Sequence, residues 1–213
     1  MTRTPRRLAL LLALALGASV PAQAQSVDAY EARLRDVWRR TMQEALPRLL
    51  DAQAAILQAR GLAEQADRLR AAAGAARAPS DKPDPKALQT TIAAVGEGAG
   101  ALATALADSA APLSDGARAS LTDGLVNFAA GAVATGRIAS DAVALAKDGP
   151  DTMKGVSPLK LGKVRSLVET GAVLGSSLPQ LAKENVTTAS RLVSYARRNN
   201  IPVPGDLASM EVN

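Results

Sequence analysis

Apolar positions along this chain recur at three- and four-residue intervals, and no stretch shows a convincing alternation of β-branched residues. Val27, Tyr30, Leu34 and Val37 open the pattern; after Pro47 it resumes as Leu49, Ala52, Ile56, Ala59, Leu62, Ala66, Leu69 and Ala73. That period marks one face of an α-helix. Residues 26–77 are therefore predicted helical, with Pro47 kinking or splitting the helix because it removes a backbone donor and crowds the preceding turn. Residues 78–85 hold three prolines in eight positions and read as a linker. From Lys86 the pattern returns as Leu88, Ile92, Val95, Ala99, Leu102 and Leu106, with Leu113 on the same seven-residue repeat. A seam of this kind packs against another helix.

The segment Ser120 to Asp148 is predicted to be the central helix. On a regular helix its polar residues Asp123, Asn127, Arg137, Asp141 and Asp148 fall within an arc of roughly 80°. So narrow a wet stripe requires cover on several sides. Arg137 and Asp141, four apart, are the expected ion pair on that stripe. The short connection from the preceding helix makes those two helices expected antiparallel neighbours, and Gly149-Pro150 is the expected stop. A further helix carries Leu161, Val164, Val168, Gly171 and Leu178, bends or breaks at Pro179, and continues with Ala182, Val186, Ala189, Val193 and Ala196. Asn199 and Asn200 suit a C-terminal cap, residues 201–205 leave as an extended segment, and 206–213 are expected to be a flexible C-terminal tail. The predicted fold class is all-α: an antiparallel helical bundle of four to six helices, with alanine- and glycine-rich close packing, forming a single domain over residues 25–205. Gly96/Gly100 and Gly171/Gly175, each four apart, are the expected points of close helix approach.

Composition changes this picture at the N-terminus. Arg3, Arg6 and Arg7 precede the apolar run Leu8 to Leu16, and Ala22-Gln23-Ala24 is a small-x-small cleavage signal. Residues 1–24 are thus expected to be a cleaved secretory signal peptide, placing the protein in the periplasm or outside the cell. No cysteine is present to carry a lipid, so a lipoprotein is not expected. Cleavage removes three arginines and no acid, so the formal net charge falls from +5 to +2. A chain so near neutrality, with one Trp, two Tyr and one Phe, offers neither the basic surface nor the stacking platforms of a nucleic-acid binder.

The chain has no histidine and no cysteine. Zinc sites of the usual kind, Ser-His-Asp and Cys-His nucleophile systems and haem attachment lose their chemistry. No catalytic residue, metal ligand or cofactor site is assigned. Gly96-Glu97-Gly98-Ala99-Gly100-Ala101 has the spacing of a dinucleotide-binding turn, but that mechanism needs a strand ahead of it and a βαβ unit around it. Ser157-Pro158-Leu159-Lys160 has an S-x-x-K spacing without its companion elements; Ser157 as helix N-cap and Pro158 as first helical residue account for it.

What remains is a contact surface. Lys154, Lys160, Lys163 and Arg165 form the densest basic cluster outside the arginine-rich first helix, and Leu159 and Leu161 stand among them at a helix start. These six residues are the candidate contact with a protein partner or, weakly and peripherally, with an anionic membrane. The expected function is non-catalytic: an exported bundle binding an apolar ligand, a lipid surface or an envelope protein. The competing classes are a structural subunit of an envelope complex without a ligand and a hydrolase independent of His and Cys. Two packing expectations complete the reading: Phe128 lies in the core, and Trp38, followed by Arg39 and Arg40, is partly wet.

Overall fold

The computed structural model describes residues 22–78, 80, 82–107 and 113–210, with side chains from residue 27 onward. Residues 1–21, most of the expected signal peptide, lie outside the described residues. The elements in chain order are α1 (Ala22–Arg39), a π-helical segment (Arg40–Ala45), α2 (Leu46–Ala59), α3 (Ala63–Arg77), α4 (Pro85–Ala107), α5 (Asp115–Met153), α6 (Pro158–Arg198) and α7 (Gly205–Ser209). There is no strand among the described residues, and the fold is an all-α helical bundle.

Pro47 does not break the first helix. It has no N–H to offer the carbonyl of Gln43, and its ring crowds that turn. The backbone widens instead: the Leu46 N–H reaches back five residues to the Thr41 carbonyl, and Arg40–Ala45 is π-helical. One added residue per turn absorbs the proline and keeps α1 and α2 in one rod. The break comes at Gly61, whose φ of 79° lies in the left-handed region. There the chain reverses, and α3 returns along α2 with Arg77 on Asp51 and Arg70 on Gln58.

α5, 39 residues and about 58 Å long at 1.5 Å per residue, is the spine. The α1–α2 rod runs antiparallel to it. Ile56 faces Gly124, Leu49 faces Gly131, Arg40 bonds Asp141 at 2.8 Å, and Arg33 bonds Asp148 at 2.7 Å. Each step forward on one helix is matched by a step back on the other. α6, 41 residues, returns along the opposite side of α5 as a long hairpin closed by a turn at Gly155, φ 73°. α4 lies against α2, α3 and α6. It is antiparallel to α5, as expected, but lies along α2, where Gln53 donates to the Val95 carbonyl at 3.1 Å.

Several local expectations are corrected. α5 runs through Gly149-Pro150 to Met153. A proline this near the C-terminus costs the helix only one late hydrogen bond, and Gly149 is buried against Val168 and Tyr30, so packing holds the turn. α6 likewise continues unbroken through Pro179. The exposed face of α5 is wider than its charged residues, because Val126, Gly136, Ser140 and Ala144 face solvent beside them. Asp141 pairs with Arg40 of the π segment, and Arg137 makes no ion pair among the described residues.

On α6 the seam is Leu178, Leu181, Asn185, Ala189, Leu192 and Ala196; Val186, assigned to it from the sequence, is 37% exposed. In α4 the close approach is at Gly98, not at Gly96 or Gly100. A Cβ on Gly98 would stand 2.2 Å from Gln53 Oε1, whereas the other two face open space. Gly171 and Gly175 do meet the neighbouring elements closely. The tail is not free throughout: Gly205–Ser209 form α7, and Leu207 is fully buried, because the prolines at 202 and 204 carry the chain back onto the bundle. Trp38 is buried at 5% exposure; Arg39 and Arg40 turn outward to Asp36, Glu44 and Asp141 and leave the indole to the core. Phe128 is fully buried, as predicted.

Candidate functional site

The six contact residues lie at one end of the bundle, where α5 turns into α6 beside α1. Ser157 takes the N-cap position of α6 and Pro158 the first helical one, a pairing that suits proline's fixed φ and missing donor. The Ser157 side chain makes no capping bond. Its carbonyl accepts from the Lys160 N–H at 2.9 Å and from the Leu161 N–H at 3.1 Å. Starting the helix here throws Leu159 outward. It is 99% exposed, Leu161 is 42% exposed, and the next apolar residue, Val164, is buried.

The cations around them are largely matched. Lys154 Nζ donates to Asp151 Oδ1 at 2.6 Å, which holds the ammonium pKa above its usual value. Arg165 Nε donates to Glu169 Oε1 at 2.9 Å. Lys163 Nζ reaches Glu31 Oε2 of α1 at 2.8 Å, and Arg35 holds the other oxygen of that carboxylate at 2.5 Å. The Lys163 bond, first, then the two positive charges and the Arg35 bond lower the Glu31 pKa against the opposing effect of burial. Lys160 alone of the four has no ion pair among the described residues. The tip is therefore an apolar point with one free ammonium inside a nearly neutral ring. Glu31, which joins α1 to this ring, was not legible from the sequence cluster.

Two arginines that also escaped the sequence reading tie the other end of the bundle. Arg60, just past α2, donates to the Ala105 carbonyl at the end of α4 and to the Tyr195 hydroxyl of α6, and its guanidinium lies 5.5 Å from the Tyr195 ring centroid. Arg118 of α5 donates to the Asn199 carbonyl beyond α6 at 2.9 Å. Both donate to backbone carbonyls in or just past the last described turn of a helix.

Open grooves of about 350, 330 and 220 Å³ lie along α4. None is a wholly apolar channel, since each wall includes an arginine. Among the described residues no three Asp or Glu side chains converge as a metal site. The Gly96–Ala101 spacing lies in mid-helix with no strand before it, so it cannot form the turn that cradles a pyrophosphate. α4 and α5 are long and apolar enough by composition to cross a membrane, but half of the α5 window is buried in the bundle, as in a core helix. In comparison with known proteins, no family model matches the chain, and neither a curated protein nor a solved structure matches it.

Proposed function

We propose that this chain is an exported, non-catalytic helical bundle that works by docking, with the α5–α6 tip as its contact and an envelope protein as its partner. The observation that carries the reading is Leu159, 99% exposed at the start of a 41-residue helix, with Leu161 two residues on. Burying one such leucine in a partner's pocket contributes about 1.5–3 kcal/mol. The surrounding carboxylates favour a protein over a lipid surface, because three of the four cations are already paired and little charge remains to attract anionic head groups. The absence of histidine and cysteine supports the non-catalytic half of the reading.

A photoreactive residue at position 159, compared with one at solvent-facing Val126, tests the proposal in cells. A discrete adduct with one envelope protein from position 159 alone is expected. Identical adduct patterns from both positions would refute it. So would co-sedimentation with anionic vesicles that Leu159→Glu abolishes while no protein adduct forms.

A further inference from the structure

At the end of the bundle away from the tip, the groove between α4 and α6 has two unlike walls. α4 contributes Ala103, Leu106 and Ala107; α6 contributes Ser190, Arg191, Ser194 and Arg198. Arg191 and Arg198 are seven residues apart, two helical turns, so they project on one side of α6 with Ser194 between them. Neither makes a hydrogen bond or ion pair among the described residues. Arg48 and Arg137 are likewise unpaired among the described residues but stand singly on exposed faces, whereas Arg33, Arg35, Arg39, Arg40, Arg70 and Arg77 hold carboxylates.

Three further observations bear on what the pair is for. First, among the described residues no carboxylate stands in either wall: α4 has no Asp or Glu from Gly98 to Ala107, and α6 has none from Asn185 to Arg198. Second, helix capping is already provided at this end. Arg60 meets the Ala105 carbonyl and Arg118 meets the Asn199 carbonyl, so Arg191 and Arg198 are not needed there. Third, the facing wall is apolar and open. Ala107 is exposed and Ala103 half-buried, while Leu106 forms the floor at 3% exposure.

We infer that this groove binds an amphiphilic anion, a phosphate headgroup on a short hydrocarbon chain. The two guanidiniums and the Ser194 hydroxyl take the headgroup, and the chain lies along Ala103, Leu106 and Ala107. Guanidinium forks match phosphate oxygens in pairs and carry charge at every physiological pH. The apolar wall adds affinity with each methylene it covers. This site is separate from the tip and does not depend on the docking reading.

Calorimetric titration of the protein with hexyl phosphate, inorganic phosphate and hexanol is the test. Saturable binding of hexyl phosphate is expected, at least tenfold tighter than inorganic phosphate and with hexanol not binding. Arg191→Gln with Arg198→Gln should weaken hexyl phosphate at least tenfold. Both side chains are exposed, so an unchanged helical circular dichroism spectrum is expected for that variant. Ala103→Phe, which fills the groove and leaves both arginines, should weaken hexyl phosphate while inorganic phosphate binding persists. No saturable binding of hexyl phosphate, or binding indifferent to the double substitution, overturns the site. Equal affinity for inorganic and hexyl phosphate overturns the amphiphile assignment.

Discussion

Gly175→Ala should destabilise the bundle, whereas Gly136→Ala should stabilise it, although both replace a glycine inside a long helix. The helix term is the same in each case: alanine is favoured over glycine by about 1 kcal/mol in a helix interior. The difference lies across the α5–α6 interface. A Cβ on Gly175 would stand 2.5 Å from the Ala146 Cβ and 2.9 Å from the Ala142 carbonyl oxygen. Neither is the tip of a flexible side chain, so relief requires the two helices to part locally. Overpacking of this kind costs about 1–3 kcal/mol, and a contact with backbone belongs at the upper end. Subtracting the helix gain leaves a net loss of about 2 kcal/mol, which for a chain of this size lowers Tm by roughly 4–8 °C.

A Cβ on Gly136 meets nothing within 4 Å, so Gly136→Ala should raise Tm by roughly 1–4 °C. Thermal unfolding followed by circular dichroism reads both. Adding Ala146→Gly to Gly175→Ala should give less loss than the two single changes together, because it removes one of the two clashing atoms. A stabilising Gly175→Ala, or strict additivity in the double variant, would refute the close-packed α5–α6 hairpin.

Phe128→Ala and Trp38→Ala should each cost about 3–5 kcal/mol in denaturant unfolding, since both rings are buried; a loss under 1 kcal/mol at Trp38 would restore the wet indole expected from its arginine neighbours. Glu31→Gln should remove part of the acid sensitivity. The Glu31 pKa is lowered from 4.5 in the fold, so its stabilising contribution is complete above that value and is lost as pH falls through the folded pKa. In the variant, stability should fall less steeply over that acid range, and an unchanged slope would dismiss the Lys163 contact. Arg60→Gln should destabilise the α4 end by roughly 1–3 kcal/mol, by leaving the Ala105 carbonyl short of its charged donor. Hydrogen exchange that rises in α4 but not at the tip is the expected signature.

The parts of this fold legible in the sequence are those where large apolar residues stand alone on a face. Leu88, Val95, Leu102 and Leu106 in α4, and Leu34, Leu49 and Ile56 in the first rod, are buried where their spacing placed them. In the second half of α6, alanine, valine and threonine occupy every face, and the periodicity no longer identifies a buried side. The spacing places Val186 in the seam, while Asn185 carries it at 2% exposure. Glycine spacing failed for a related reason. Gly96 and Gly100 have the four-residue interval, but only the partner decides which face is covered, and Gln53 and Leu69 approach Gly98 instead. Pro150 reads as a stop and Pro179 as a bend or break because a proline removes one donor, a local loss that packing against neighbouring helices can outweigh. At the tip, Leu159 and the four cations were visible as a cluster, but the carboxylate on Lys163 comes from α1, far away in sequence.

That last contact bears on how the tip could serve as a docking point. An exposed leucine on a loose turn would lose much of its contact energy to ordering on binding. Here the turn is fixed from both sides. Lys163 is tied to Glu31 of α1, and Arg33, two residues further along α1, is tied to Asp148 of α5, so three helices meet around the Gly155 turn. Gly149 and Gly171 sit beneath it, the first packed on Val168 and the second on the Tyr30 hydroxyl, so that neither position admits a side chain without a shift. The hydroxyl of Tyr30 is buried there without a hydrogen-bond partner among the described residues, and burial, followed by the nearby Asp148 charge, raises its pKa. Tyr30→Phe removes the unpartnered oxygen and keeps the ring, so it should be neutral or stabilising in thermal unfolding. Tyr30→Ala opens a cavity beneath the turn, should cost about 3–5 kcal/mol, and should raise hydrogen exchange at residues 149–164 before the rest of the chain. If Tyr30→Ala leaves exchange at the tip unchanged, the turn is not held from below, and Leu159 gains nothing from the packing that supports it.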